Sequence, residues 1–300
     1  MYNQIHMSTA KEPLVEIKEE MRAALMKARE LTPSTCNTYV SLLATLYVNM
    51  KGTGGSSFFK DNVEDVVDFI NKSTKSSHTK KTQCSGLFVL TNKQPYNVLM
   101  REEMKTVMKN YAEHKPTNDV SFAQIKEIHE RLEQMYKRNP TDVNRNNFLI
   151  SSLTSGVYNP PRRLTDWTEM KLKGGRKNQD NYIQGPNFYL NIYKTQANDR
   201  AAGTLPVIPV PKPVVAVVNK LKKLYPEQEY LLHNERGEKF TSGSLNKRLT
   251  AIFGVSCNKL RSIYLTDVTY ADSGIAKLEA TAKLMGNTVE SQINYYVKNK

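Results

Sequence analysis

Cysteine is scarce: the three present, Cys36, Cys84 and Cys257, are scattered and form no Cys-x-x-Cys pair. An odd, dispersed set excludes both a disulfide framework and a cysteine zinc site. The five histidines show no ligand spacing either, so neither a metal nor a cofactor is expected. No apolar run approaches the roughly 18 residues of a membrane span, and the stretch from Met1 to His6 lacks the basic and apolar regions of a signal peptide. A soluble, intracellular protein with no membrane span is expected, its compartment left open. Acid is the other shortage. Only 29 Asp and Glu face 43 Lys and Arg, a net charge of +14, with a pI near 9.5. That imbalance favours a polyanionic partner, nucleic acid or an anionic membrane surface, over a protein whose surface is merely basic.

Three hundred residues at 39% hydrophobic suffice for two ordinary domains. Leu14, Ile17, Met21 and Leu25 recur at helical spacing, predicting an amphipathic helix over 13–30. Thr32 as cap and Pro33 at the first helical position open a second helix that ends at Gly52. A third is predicted around Val63 to Ile70. The polar, basic stretch from Asn71 to Thr82 has no apolar period and reads as a loop, either solvated or able to track phosphates. After Pro95 a longer helix runs to His114, with a Met stripe that reads as core filling. Lys115-Pro116-Thr117-Asn118-Asp119 is the best domain boundary, giving a small all-helical domain over 1–115 and a second domain over 116–300.

The second domain opens on the capping box Ser121-Phe122-Ala123-Gln124, and another helix follows over 142–155. That helix leads to Pro160-Pro161-Arg162-Arg163-Leu164-Thr165-Asp166-Trp167. Arg163, three residues before Asp166, reads either as half of a structural salt bridge or as an anion-binding group held by that carboxylate. The alternating segments 188–194 and 204–210 predict a hairpin with Lys194 at the mouth of its loop, where a long amine can reach a ligand or simply be solvated. Helices follow over 214–225 and 244–253. In the segment from Cys257 to Leu265, Leu260, Ile263 and Tyr264 share a face and leave Arg261 on a flank that can turn toward a cleft. At the end of the chain, Tyr296 stands nine residues beyond Asn287 in Leu284-Met285-Gly286-Asn287.

Together these positions resemble the tyrosine recombinase, or phage-type integrase, family, in the viral or mobile-element variant with Pro-Pro-Arg-Arg in its first box. The resemblance covers 121–300 closely and the N-terminal domain loosely. Arg163 with Asp166 looks like the first-box Arg-x-x-Glu, and Lys194 like the hairpin lysine. Asn258-Lys259-Leu260-Arg261 looks like the second-box His-x-Leu-Arg, and Asn287 with Tyr296 like the Leu-Gly-His box and its nucleophile. It implies a mainly α fold with a small antiparallel sheet, built as an N-terminal helical core-binding domain plus a C-terminal catalytic domain. It also implies a DNA integration or recombination enzyme that binds double-stranded DNA as a clamp and acts as a homo-tetramer on two sites.

The implied chemistry is consistent with these residue types. A phosphodiester gains negative charge in the transition state, and Arg163 and Arg261 supply fixed, planar, permanently charged donors to its oxygens. Tyr296 attacks to give a 3′-phosphotyrosyl link, Lys194 protonates the leaving 5′-oxygen, and no metal is required. Both family histidine positions are asparagine here, Asn258 and Asn287. Asn donates a hydrogen bond but cannot shuttle a proton. That departure keeps open a catalytically degenerate DNA-binding protein of the same fold, and a type IB topoisomerase-like enzyme is a further alternative. Family members often dock a C-terminal helix on a neighbour, which the four residues after Tyr296 in this sequence would not supply.

Overall fold

The computed structural model describes residues 12–113, 120–194, 196–201, 203, 205–234, 236–270 and 275–293. The protein is mainly α-helical with one small sheet, and it divides into two compact units at His114 and Lys115.

The first unit holds α1 (Glu12–Ala28), α2 (Pro33–Asn49), α3 (Phe58–Asp61), α4 (Val63–Lys72), α5 (Ser77–Thr91) and α6 (Gln94–Glu113). As expected, Thr32 caps α2, its hydroxyl accepting from Thr35 N at 3.2 Å, with Pro33 in the first position. The core gathers Met21 and Leu25 of α1, Leu43 of α2, Val66 and Ile70 of α4, and Leu87 of α5. Tyr96 is buried with them, its hydroxyl donating to Phe59 O at 2.6 Å. One expectation fails: the supposed loop 71–82 becomes helical at Ser77. Ser76 caps α5 by accepting from Thr79 N, and burial of Cys84 and Leu87 further along stabilises a turn that lacks apolar residues of its own.

The second unit holds α7 (Phe122–Arg138), α8 (Asp142–Thr154), α9 (Leu164–Thr168), β1 (Met170–Lys171), β2 (Asn181–Gln184), β3 (Asn187–Tyr189), α10 (Gln196–Ala201), β4 (Val207–Pro209), α11 (Lys212–Leu224), α12 (Ser242–Phe253), α13 (Cys257–Tyr264), α14 (Ile275–Met285) and α15 (Val289–Ser291). The expected hairpin is β3 with β4, antiparallel, Phe188 facing Ile208. Its connection contains α10. Two further strands extend the sheet to the order β1-β2-β3-β4. β1 joins parallel, so the sheet is mixed and antiparallel only from β2 to β4. Trp167 of α9 meets Phe188 edge-on at 5.3 Å, which seats the Pro-Pro-Arg-Arg segment on the sheet.

All three thiols are free and buried. Burial pushes Cys84 up to about 12 and Cys257 up to about 11. Among the described residues no cluster of His, Cys, Asp or Glu has metal-binding geometry, and no helix is long and apolar enough to cross a membrane.

His129 of α7 is buried in the second core, stacked on Phe148. Its Nδ1 lies 2.9 Å from Ser151 Oγ, and that hydroxyl donates to Phe148 O. With that proton on Phe148 O, Ser151 accepts and the imidazole donates from Nδ1. Burial lowers its pKa below the ordinary 6.5. The sign follows: below pH 6.5 the unfolded chain takes a proton that the folded chain resists, so stability present above that pH is lost as pH falls toward the folded pKa. Denaturant titrations of the second unit should show a loss of up to about 1.4 kcal/mol per pH unit in that window. The loss should be absent in His129→Gln; an equal slope in that variant would assign it to other groups.

Candidate functional site at the end of helix α14

Helix α14 ends in a Schellman turn. Gly286 adopts φ +65°, Gly286 N donates to Lys283 O at 3.2 Å, and Asn287 N donates to Ala282 O at 3.0 Å. This leaves the carbonyls of Leu284, Met285 and Gly286 without helical donors. Each is taken by a guanidinium. Arg162 Nη1 donates to Leu284 O, Arg261 Nη2 to Met285 O at 3.3 Å, and Arg163 Nη1 to Gly286 O. The negative end of the helix dipole adds to the attraction. A Cβ on Gly286 would stand 2.9 Å from Arg162 Nη2, a close approach that reinforces the need for glycine there.

Asp166 is the acid at the centre of this group, and the expectation for its partner needs correction. It pairs with Arg162, Nε to Oδ2 at 2.6 Å, rather than with Arg163. Arg163 is the N-cap of α9 with extended backbone (φ −70°, ψ 152°), whereas Arg162 lies four residues before Asp166 and reaches back over the turn. Both partners are about 1% exposed. Burial pushes the Asp166 carboxyl up from its ordinary range, while Arg162 first, then Arg163 and Arg261, pull the other way. Three guanidiniums around one carboxylate leave a local excess of positive charge, with half-buried Arg163 the most accessible of them.

Arg261 does not turn into an open cleft: it is 0% exposed, inside the helix packing of α13. Asn287 joins it. With the amide oriented to satisfy both ends, Asn287 Oδ1 accepts from Arg261 Nη2 at 3.1 Å and its amide nitrogen donates to Ala282 O at 3.1 Å. Thus Arg163, Arg261 and Asn287, far apart in sequence, meet at one helix end. Lys194 and Asn258 are exposed, and neither bonds to the cluster among the described residues. The expected nucleophile Tyr296 lies outside the described residues.

Four further residues build the site although the sequence assigns none of them a role of its own. Arg162 also lies over the Tyr193 ring, 5.4 Å to its centroid, so the residue next to Lys194 is seated on the cluster. Asn181, wholly buried, donates to Asp166 O at 3.0 Å and Ile192 O at 2.8 Å, and its oxygen accepts from Asn191 N and Ile192 N. Gln292, also buried, lies with its amide nitrogen 3.2 Å from the Asn287 side-chain amide. Gly156, at φ +90°, brings the loop before Arg162 against Tyr264 of α13, where a Cβ would stand 2.6 Å from the ring. The i,i+4 spacing of Arg162 and Asp166 is the one local signal among these; buried amides bonded to distant backbone leave none.

Replacing Asp166 by Asn leaves Arg162 buried without its counter-charge. Asp166→Asn should cost about 3–5 kcal/mol, and calorimetry should show the second unit melting about 10 °C lower with the first unit unmoved. Equal melting temperatures would mean the pair contributes nothing to stability.

No protein-family profile matches the chain, and no curated protein matches it. Among solved structures, one entitled "Crystal structure of XerA recombinase" superposes with a TM-score of 0.40 at 11% identity, covering 94% of each chain. At that score and identity the likeness assigns no role to any residue.

Proposed function

We propose that this chain is a site-specific DNA recombinase or integrase that cleaves and rejoins strands through a 3′-phosphotyrosyl link. Tyr296 is the nucleophile. Arg163, Arg261 and Asn287 donate to the scissile phosphate, with Asn258 an additional donor at the rim. Lys194 is the general acid for the leaving 5′-oxygen. The observation that supports this reading is the meeting of Arg163, Arg261 and Asn287 at the end of α14, with cations in excess of the single Asp166. A phosphodiester oxygen is a stronger acceptor than a peptide carbonyl, so a bound phosphate competes for these donors. Oriented, water-excluded guanidiniums are the main aid available to a transition state that gains charge on oxygen.

The first unit, 1–115, is proposed as the core-binding domain. Lys72, Lys75, Lys80 and Lys81 lie around the start of α5, where phosphates can be tracked. Working as a homo-tetramer on two duplexes completes a strand exchange, because the phosphotyrosyl link conserves the energy of the bond it replaced.

Three measurements test this. A nicked suicide substrate made from the flanking DNA should trap a covalent adduct without added metal; Tyr295→Phe should retain it and Tyr296→Phe should lose it. No adduct from the unmutated protein would favour the degenerate DNA-binding alternative. Arg163→Ala should slow cleavage by about a hundredfold or more while duplex affinity changes only a few fold. Affinity itself should fall roughly a thousandfold or more between about 50 and 200 mM salt if six to ten phosphates are contacted; a flat titration would rule out backbone tracking.

A further inference from the structure

Arg162 bonds to several segments of the site and has no role in the reaction proposed above. Its side chain is 1% exposed. One arm pairs with Asp166, another holds Leu284 O, and the guanidinium covers the Tyr193 ring. Its carbonyl accepts from Cys257 Sγ at 3.5 Å, at the head of the helix that carries Arg261. Its charge is answered by Asp166 and its guanidinium face is covered by Tyr193, so it is assigned no contact with a substrate phosphate. It nevertheless touches both segments whose placement a two-sided attack on phosphorus requires: the hairpin end before Lys194 and the turn before Asn287.

We infer that Arg162 is a positioning residue, a buried strut that fixes the Lys194 end of the hairpin and the Asn287 turn relative to each other so that acid and phosphate donors are set together. The inference rests on the recombinase reading, and it makes a physical claim that can be checked without activity. A planar fork with five donors can serve a carboxylate, a carbonyl and an aromatic face at once; a lysine in the same place serves one of them. Asn181 supplies a second tie between the hairpin and Asp166, so the hairpin stays folded when the first is loosened.

The variants separate the two arms. Arg162→Lys keeps a charge beside Asp166 and loses the fork. Tyr193→Leu removes the ring contact together with the Tyr193 hydroxyl's bond to Asp199, and Gly286→Ala strains the turn and presses its Cβ on Arg162 Nη2. Hydrogen exchange of the full chain should show about tenfold faster exchange in 188–194 and in 283–288 for Arg162→Lys, with α8 unchanged. Tyr193→Leu should affect 188–194 and the Asp199 segment and leave 283–288 unchanged, and Gly286→Ala, which also displaces Arg162, should quicken both 188–194 and 283–288. Uniform acceleration through the second unit, or no change in either segment, overturns the inference.

Activity gives an independent readout. Single-turnover cleavage by Arg162→Lys should fall about a hundredfold with duplex affinity within about threefold. A substrate with sulfur in place of the bridging 5′-oxygen leaves as a thiolate and needs no proton. It should restore much of the rate to Arg162→Lys, as it should to Lys194→Ala. Restoration of Lys194→Ala without restoration of Arg162→Lys counts against the strut. Absence of any adduct from the unmutated protein sinks the recombinase reading and leaves the exchange result to decide this one.

Discussion

A guanidinium cannot be buried without acceptors, and that constraint organises the second unit. Arg162 and Arg261 are enclosed side chains, each carrying a five-donor guanidinium. Asp166 answers one of them, and the remaining donors need backbone oxygen. A helix end provides it, since its last carbonyls have no helical partner. The Schellman turn at Gly286 uses two of these oxygens, and three arginines take the next three. Each side satisfies part of what the other leaves unpaired, while Arg162 Nη2 and Asp166 Oδ1 stay buried without a hydrogen-bond partner among the described residues. Neither the end of α14 nor the arginine cluster is stable in this form alone.

The same arrangement fixes what the site can respond to. Carbonyl oxygens are weak ligands for guanidinium compared with an anion, so the cluster is held together by acceptors that a phosphate can outcompete. Asn287 extends the network by bonding both Arg261 and Ala282 O, which ties the side chain of one proposed phosphate donor to the backbone of its own helix. An amide at this position offers orientation and no proton transfer.

Much of the fold could be read in advance where the signal was local. Thr32 with Pro33, and the box formed by Ser121 and Gln124, each encode a helix start within four residues, and both are present. The helical domain and the hairpin followed from periodicity. What escaped was set by distant partners. β1 and β2 are two and four residues long, too short for alternation to show. The first turn of α5 is polar throughout and helical because of what the next turns bury. Spacing alone drew Arg163 toward Asp166, yet the extended N-cap backbone hands that role to Arg162. Asn181 could not have been singled out, because its four partners lie at Asp166, Asn191 and Ile192.

The three buried thiols are distributed unevenly: Cys36 and Cys84 in the first unit, Cys257 in the second. Cys84 and Cys257 are held far from the thiolate form, so a brief pulse of alkylating reagent leaves them untouched while their surroundings are closed. Mass added at Cys84 then registers opening of the first unit, and mass added at Cys257 loosening beside Arg162 and the head of α13. The native sequence thus carries its own pair of reporters, one in each unit, able to say which half of the protein yields first under heat, denaturant or DNA.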